Sequence, residues 1–402
     1  MGSQVGLSDF FEQFLQREPL FINKKVLQSN YLPDAILHRQ KQLEFLASVL
    51  APALRQEKPS NIFIYGKTGT GKTLVTQHTL EMLTKAAESR SFKIKVIYVN
   101  CKLKKVSDTE YRIVTELARA MGEELPATGL PTDEVWNKFL AAVDSDEQIV
   151  MIVLDEIDRF VSKVGDEILY NLTRINSELK KAQVTLIGIS NDIRFIETID
   201  ARVRSSLGEE DIVFPPYNAN ELKEILEKRA SAAFRPNVVG EGVLGKCAAY
   251  AAREHGDARR ALDLLRVAGE TAEREGSTTI LQSHIDKAEE RIERDRVLEI
   301  STTQPKQSQL VLYSILELMP LTDKKIETGE IYEKYLSLCR QLSQVSLTQR
   351  RVSDLIGELD MLGLINAKVV SKGRYGRTRQ IYLTIPDDMV QKIRDKLKGE
   401  FF

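Results

Sequence analysis

Over the first 210 residues, short apolar runs alternate with longer stretches of helical spacing. The runs cover residues 61–65, 95–99, 149–154 and 184–189. Each is nearly continuous in Ile, Val, Leu, Phe and Tyr and is bounded by polar sequence. That is the pattern of strands buried on both faces of a parallel sheet. Residues 72–88 and 166–181 carry helical periodicity between the runs and predict right-handed crossovers. The first 215 residues therefore read as a doubly wound α/β core.

The pattern then changes twice. From 218 to 298 the strand-like runs vanish, and Ala/Leu/Glu/Arg-rich segments at helical spacing take their place (220–234, 241–255, 257–274 and 281–294). Residues 216–300 are thus expected to form a small helical domain. A polar stretch with one proline, 301–308, reads as a linker into a third domain, 301–402. There Leu312, Ile315, Leu316 and Met319 fall on one helical face, as do Ile331, Tyr335, Leu338 and Leu342. A third helix carries Val352, Leu355, Ile356 and Leu359 and stops at Gly363, a residue suited to the left-handed position after a helix. Strands at 364–370 and 380–385 then flank a turn containing Gly and Arg. Three helices and a hairpin outline a winged helix-turn-helix.

Composition narrows the class. Of 402 residues, 42% are hydrophobic and 29% charged, as in ordinary folded proteins. No apolar run approaches the roughly 20 residues that cross a bilayer, and no secretory signal pattern is present. The three cysteines are scattered singly, against a disulfide framework or a zinc site. These features lead to the expectation of a cytoplasmic, nucleoid-associated protein without a membrane partner. Net charge is −1, so bulk charge points to no nucleic-acid partner. The basic excess is local: residues 301–402 hold 16 Lys/Arg against 12 Asp/Glu.

The chemistry is concentrated in three places. Gly66, Lys67, Thr68, Gly69, Thr70, Gly71, Lys72 and Thr73 match G-x-x-x-x-G-K-[ST] directly after a predicted strand and before a predicted helix. Glycines let backbone N–H groups close on phosphates, and the helix N-terminus adds partial positive charge. Lys72 is placed for the β- and γ-phosphates and the Thr73 hydroxyl for Mg²⁺. The strand 149–154 runs into Asp155, placed to hold the metal's shell, and Glu156, placed to polarise an attacking water. Asn191 ends the next strand, where it either aligns that water or simply forms a turn. Arg259 begins a helix of the second domain, either reaching the γ-phosphate or pointing into solvent.

The order of phosphate loop, Asp-Glu-Ile-Asp at 155–158, strand-terminal Asn191, helical domain with Gly-Asp-Ala-Arg-Arg-Ala-Leu at 256–262 and winged helix resembles the AAA+ ATPases of the replication-initiator group. It is specifically similar to archaeal origin-recognition/cell-division-cycle initiators. The segment 32–39 is similar to the one that closes over adenine in that family, which implicates His38 and Arg39; Tyr217 is assigned to the nucleotide site with them. The resemblance implies ATP/ADP and Mg²⁺ as cofactors, duplex origin DNA as ligand, a replicative helicase as partner and other initiator subunits as neighbours. In related clamp loaders an arginine finger follows a serine at the position of Ser206. Here Arg202 and Arg204 are the candidates for acting in trans, displaced from that position, which implies slow hydrolysis used as a switch.

For DNA, the third helix of the last domain leaves Thr348, Gln349, Arg350 and Ser353 off its apolar face. The turn beyond it carries Lys372, Arg374, Tyr375 and Arg377, and residues 368–379 hold five basic residues and no acid. A basic hairpin suits phosphate or minor-groove contact. The family's second DNA contact, an insertion in the ATPase core, would correspond to residues 122–131. On the residues alone, two alternatives stand: a signalling ATPase whose winged helix binds protein, and a ring-forming remodeller.

Overall fold

The computed structural model describes residues 17–29, 31–90, 92–102, 109–126, 129–319, 326–371 and 377–402. They form two compact units, one ending at Ile285 and one starting at Asp286.

In the first unit the helices α1 (Gln40–Leu50), α2 (Lys72–Glu88), α3 (Glu110–Ala120), α4 (Thr132–Val143), α5 (Ile157–Val164), α6 (Glu167–Arg174), α7 (Phe195–Thr198) and α8 (Ala201–Leu207) surround a five-stranded sheet. Its strands are β1 (Ile62–Tyr65), β2 (Ile94–Asn100), β3 (Ile149–Asp155), β4 (Gln183–Ser190) and β5 (Glu210–Val213), all parallel, in the order β2-β3-β4-β1-β5. The continuous apolar runs follow from burial on both faces. Val150, Ile152 and Leu154 of β3 pack among α3, α4, α5 and α6, while Ile149, Met151 and Val153 pack on the other face toward α1 and α2.

Two expectations are corrected here. Edge strand β5 was not predicted: it reads Glu-Asp-Ile-Val and half its residues are exposed, so no apolar run marks it. The helix expected over 166–181 ends at Arg174 and tightens into a 3₁₀ turn, Ile175–Ser177. Asn176 is the reason. Its amide accepts from the Val184 N–H and donates to the Val184 carbonyl, which ties the chain to β4.

The helical domain contains α9 (Ala219–Ala233), α10 (Val243–Arg253) and α11 (Ala258–Glu275), with α12 (Gln282–Thr303) beginning at the unit's end. Asn218 and Glu221 form a reciprocal capping box at the start of α9. Asp257 caps α11 by accepting from the N–H groups of Arg259 and Arg260.

The second unit holds the rest of α12 and then α13 (Lys306–Leu318), β6 (Ile326–Glu327), α14 (Thr328–Gln341), α15 (Gln349–Met361), β7 (Ile365–Ser371), β8 (Arg377–Leu383) and α16 (Asp387–Phe401). The expected linker at 301–308 shrinks to Gln304 and Pro305, because α12 continues to Thr303 and α13 starts at Lys306. Pro305, which lacks an N–H, cannot continue α12 and stands at the N-cap of α13. Gly363 follows α15 with φ +73°, as its spacing predicts. Two elements escaped the sequence pattern: the short β6, and α16, which covers the core with Met389, Val390, Ile393 and Leu397. Strand β8 also begins earlier than expected, so Arg377, Thr378 and Arg379 lie in the ladder and not in the turn. Among the described residues no helix is long and apolar enough to cross a membrane.

Candidate nucleotide site and nucleic-acid face

Strand β1 leads into the loop 66–71, and α2 starts directly after it with Gly71 (φ +91°) at its N-cap. A cavity of about 360 Å³ opens at this helix start, at the carboxyl ends of the strands. Gly69, Thr70, Gly71, Lys72 and Thr73 line it together with Asp155 and Glu156 from the end of β3, Asn191 after β4, Tyr217 and Arg259. Five separate segments thus converge on one hollow.

Lys72 is the buried cation of the site. Its Nζ donates to the carbonyls of Gly66 and Lys67, both at 2.7 Å, and to Asn191 Oδ1 at 2.9 Å. Burial lowers its pKa to about 8, against the opposing pull of Asp155; the nearby Arg259 charge lowers it further. Thr73 Oγ1 donates to Asp155 Oδ2 at 2.8 Å, and Asp155 Oδ1 accepts from the Glu156 N–H at 2.9 Å. The Tyr98 hydroxyl, from β2, donates to the same Oδ2. A threonine hydroxyl against a carboxylate at a helix N-terminus is a hard-oxygen pair that suits Mg²⁺, which takes one or two protein ligands beside phosphate and water.

Glu156 occupies the left-handed region (φ 56°), a conformation costing on the order of 1–3 kcal/mol in a non-glycine residue. This turns its side chain away from the β3 direction. Its Oε2 lies 4.0 Å from Lys102 Nζ and 3.7 Å from Arg159 Nε. Asn191 is set from both ends, its N–H donating to Asp158 Oδ1 at 3.1 Å while its Oδ1 receives Lys72.

The helical domain reaches the loop through the start of α11. Ala258 N donates to the Gly69 carbonyl at 3.2 Å, and a Cβ built on Gly69 would fall 1.7 Å from Asp257 Oδ1. Only glycine, at φ +68°, allows this approach. Arg259, exposed in the first turn of α11, faces the same cavity as Lys72. Lys67 leans toward the helical domain, with Nζ 3.3 Å from His255 Nδ1, while Thr68 is exposed and neither lines the cavity.

His38 and Arg39 are not placed over the cavity. His38 sits 3.0 Å from Glu224 on α9. Arg39 is buried, donating to the carbonyls of Thr70 (2.9 Å), His38 (2.9 Å) and Pro215 (2.6 Å), with its guanidinium 3.7 Å from the centroid of the Tyr217 ring. Arg39 thus braces the phosphate loop from behind. The wall beyond the phosphate loop is built instead by Tyr31, Leu32, Pro33 and Ile36, with Lys228 and Arg229 of α9 opposite. Leu32, Pro33 and Ile36 belong to the segment marked by its resemblance, whereas sequence reasoning missed Tyr31, Lys228 and Arg229. The apolar 31–37 segment was on view, but its facing partners come from a distant helix. Arg229 holds the segment by donating to the carbonyls of Val26 and Tyr31.

Arg202 and Arg204 lie on α8, outside this cavity. Both are exposed; Arg202 pairs with Asp200 (Nε–Oδ1 3.1 Å) and rests 4.9 Å over the Tyr170 ring. The loop 122–131 is tied to α3: Arg119 donates to the Leu125 carbonyl and Tyr111 to that of Pro126.

In the second unit, Val352, Leu355, Ile356 and Leu359 of α15 are buried. Thr348, its N-cap, Gln349 and Arg350 are exposed, and Ser353 is half-buried. Ser371 pairs with Arg377 at the open end of the β7–β8 ladder. Lys372, Arg374 and Tyr375 lie outside the described residues.

Known proteins match along the whole chain. The AAA domain family matches residues 55–196, the Cdc6 AAA+ ATPase-type lid domain 223–290 and the CDC6 C-terminal winged helix domain 299–393. An ORC1-type DNA replication protein 1 of Methanosarcina mazei is 52% identical over 389 residues, 96% of this chain and 93% of that protein. One from Thermococcus kodakarensis is 53% identical over 391 residues, covering 96% and 94%. The solved structure of the Aeropyrum pernix ORC1 protein in complex with DNA is 46% identical and covers 96% of this chain and 100% of its own, with a TM-score of 0.85. A parallel five-stranded core, a Cdc6-type lid and a winged helix, joined at this level of identity, establish that the chain belongs to the archaeal ORC1/Cdc6 family of AAA+ DNA replication initiators.

Proposed function

We propose that the protein binds ATP with Mg²⁺ in the cavity above α2, binds duplex origin DNA through its winged helix, and uses slow hydrolysis to switch between states while a replicative helicase is loaded. The observation that carries this reading is the convergence of Lys72, Asp155, Glu156, Asn191 and the lid's Arg259 on one cavity. A phosphate loop alone binds nucleotide; a lid arginine facing the same space lets the bound state be reported to a second domain.

Each side chain has a task. Lys72 holds the terminal phosphates at the positive end of α2, where the geometry brings its ammonium beside Asn191. Thr73 and Asp155 would ligate Mg²⁺, which supplies charge neutralisation for the transferred phosphoryl group. Glu156 accepts a proton from the attacking water, and Asn191 orients that water. Arg259 stabilises charge on the γ-phosphate from the lid side. Rotating Glu156 toward the phosphates means leaving Lys102 and Arg159, which is in keeping with slow turnover.

On the DNA side, α15 spends its apolar face on the winged-helix core and leaves Thr348, Gln349 and Arg350 for a major groove. Arg374 and Arg377 of the wing are assigned to the backbone. That a 46% identical relative is solved in complex with DNA supports DNA as the ligand. Both arginines are exposed and outside their own chain's cavity, and because Arg202 is tied to Asp200 we assign the contact with a neighbouring subunit to Arg204. Footprinting the purified protein on chromosomal DNA at physiological salt tests the proposal. Protection confined to an origin-like site supports it; binding to all duplexes alike removes the origin-specific reading, and binding to none favours a protein-binding winged helix.

A further inference from the structure

Tyr98 stands out as the one aromatic side chain of β2, whose sequence is Ile-Lys-Val-Ile-Tyr-Val-Asn. It pairs with Val153 in the β2–β3 register, two residues short of Asp155. Both side chains leave the sheet on the α2 face, since Ile94, Val96 and Tyr98 pack with Ile149, Met151 and Val153. Two residues along a strand are about 6.6 Å. A tyrosine spans that step, and a shorter hydroxyl residue does not. The phenol hydroxyl meets Asp155 Oδ2, the oxygen that also accepts from Thr73, while Oδ1 is held by the Glu156 N–H. The Asp155 main chain is fixed as well, its carbonyl accepting from the Cys101 N–H at 2.8 Å.

We propose that Tyr98 is a positioning residue for the metal site: its hydroxyl holds the Asp155 carboxylate in the orientation that receives Mg²⁺ with the nucleotide. The inference rests on the nucleotide–Mg²⁺ reading of this cavity. Thr73 is the other hydroxyl on Oδ2, and a metal-ligating Thr73 turns a lone pair to the ion. The Thr73 proton can stay on Oδ2, so Tyr98 is the second side-chain donor that aims this oxygen. Outer-shell donors of this kind typically change metal affinity or activity by roughly 10–100-fold when removed.

The test is Tyr98→Phe, which keeps the ring and deletes the hydroxyl. Wild type and variant are titrated with MgCl₂ at a fixed concentration of a non-hydrolysable ATP analogue, with binding read by calorimetry. ADP affinity without Mg²⁺ and the melting temperature are measured alongside. The expected result is a Mg²⁺ midpoint raised by roughly tenfold or more, with Mg²⁺-free ADP affinity unchanged. A wild-type midpoint in the variant, or an equal loss of affinity with and without Mg²⁺, assigns Tyr98 to packing alone and overturns the inference. A wild type whose nucleotide binding ignores Mg²⁺ overturns the underlying reading of the site instead.

Discussion

Arg379 on wing strand β8 donates from Nη1 to the backbone carbonyl of Ser353 on α15 at 2.9 Å. The carbonyl belongs to the second turn of the helix assigned to the major groove, and Nη1 also lies 3.3 Å from where a Cβ on Gly357 would sit. One guanidinium therefore fixes the wing against the recognition helix. Arg379→Ala is expected to lower the stability of the winged-helix unit by about 1.5–3 kcal/mol, the range for a hydrogen bond to a charged donor. DNA affinity should fall on all sequences while nucleotide binding is retained. Thermal unfolding with parallel DNA and ADP titrations checks this; an unchanged melting curve would show that the contact is not formed in solution.

Lys72→Ala should abolish nucleotide binding, because the phosphates lose the ammonium held between the loop carbonyls and Asn191. Glu156→Gln should retain ATP and stop turnover, because it removes the base and leaves the Thr73–Asp155 pair intact. Equilibrium binding and single-turnover hydrolysis separate the two. Wild-type turnover in Glu156→Gln would remove Glu156 from its assigned role.

Arg259→Ala is expected to leave ADP affinity nearly unchanged and to weaken ATP binding, since the side chain faces the cavity from the lid. A loss of one hydrogen bond to a charged group, about 1.5–3 kcal/mol, corresponds to roughly a 10–150-fold fall in discrimination. Equal losses for both nucleotides would point to a role in lid folding.

Replacing Arg374 and Arg377 together with Ala should weaken binding to every duplex and lower the slope of log affinity against log salt by roughly one to two units. Gln349→Ala or Arg350→Ala should instead erode preference for the specific site. Affinity measured across a salt series on specific and unrelated duplexes distinguishes these outcomes. A double wing variant with unaltered slope would favour protein recognition by this domain.

Much of this architecture was legible before any fold was known. β3 announced itself as six consecutive apolar residues, 149–154, running into Asp155, because a strand covered on both faces has no polar side to interrupt it. α2 spans the residues its periodicity marked, starting at Lys72. β5 and α16 were hidden for the opposite reason: one is a half-exposed edge, the other a highly charged amphipathic helix at the chain's end.

The sequence by itself determined the loop 66–73, the carboxylates at 155 and 156, the order of the three domains and the apolar face of α15, because each is written in local spacing. Tertiary structure alone decided which side chains share the cavity. It set Arg39 behind the loop and not over the cavity, since three backbone carbonyls from separate segments meet its guanidinium. Parallel register, too, brings Tyr98 onto Asp155 across 57 positions of chain, a pairing that no local pattern encodes. Local spacing names the groups that perform chemistry; the long-range packing that orients them depends on contacts between residues far apart in the chain.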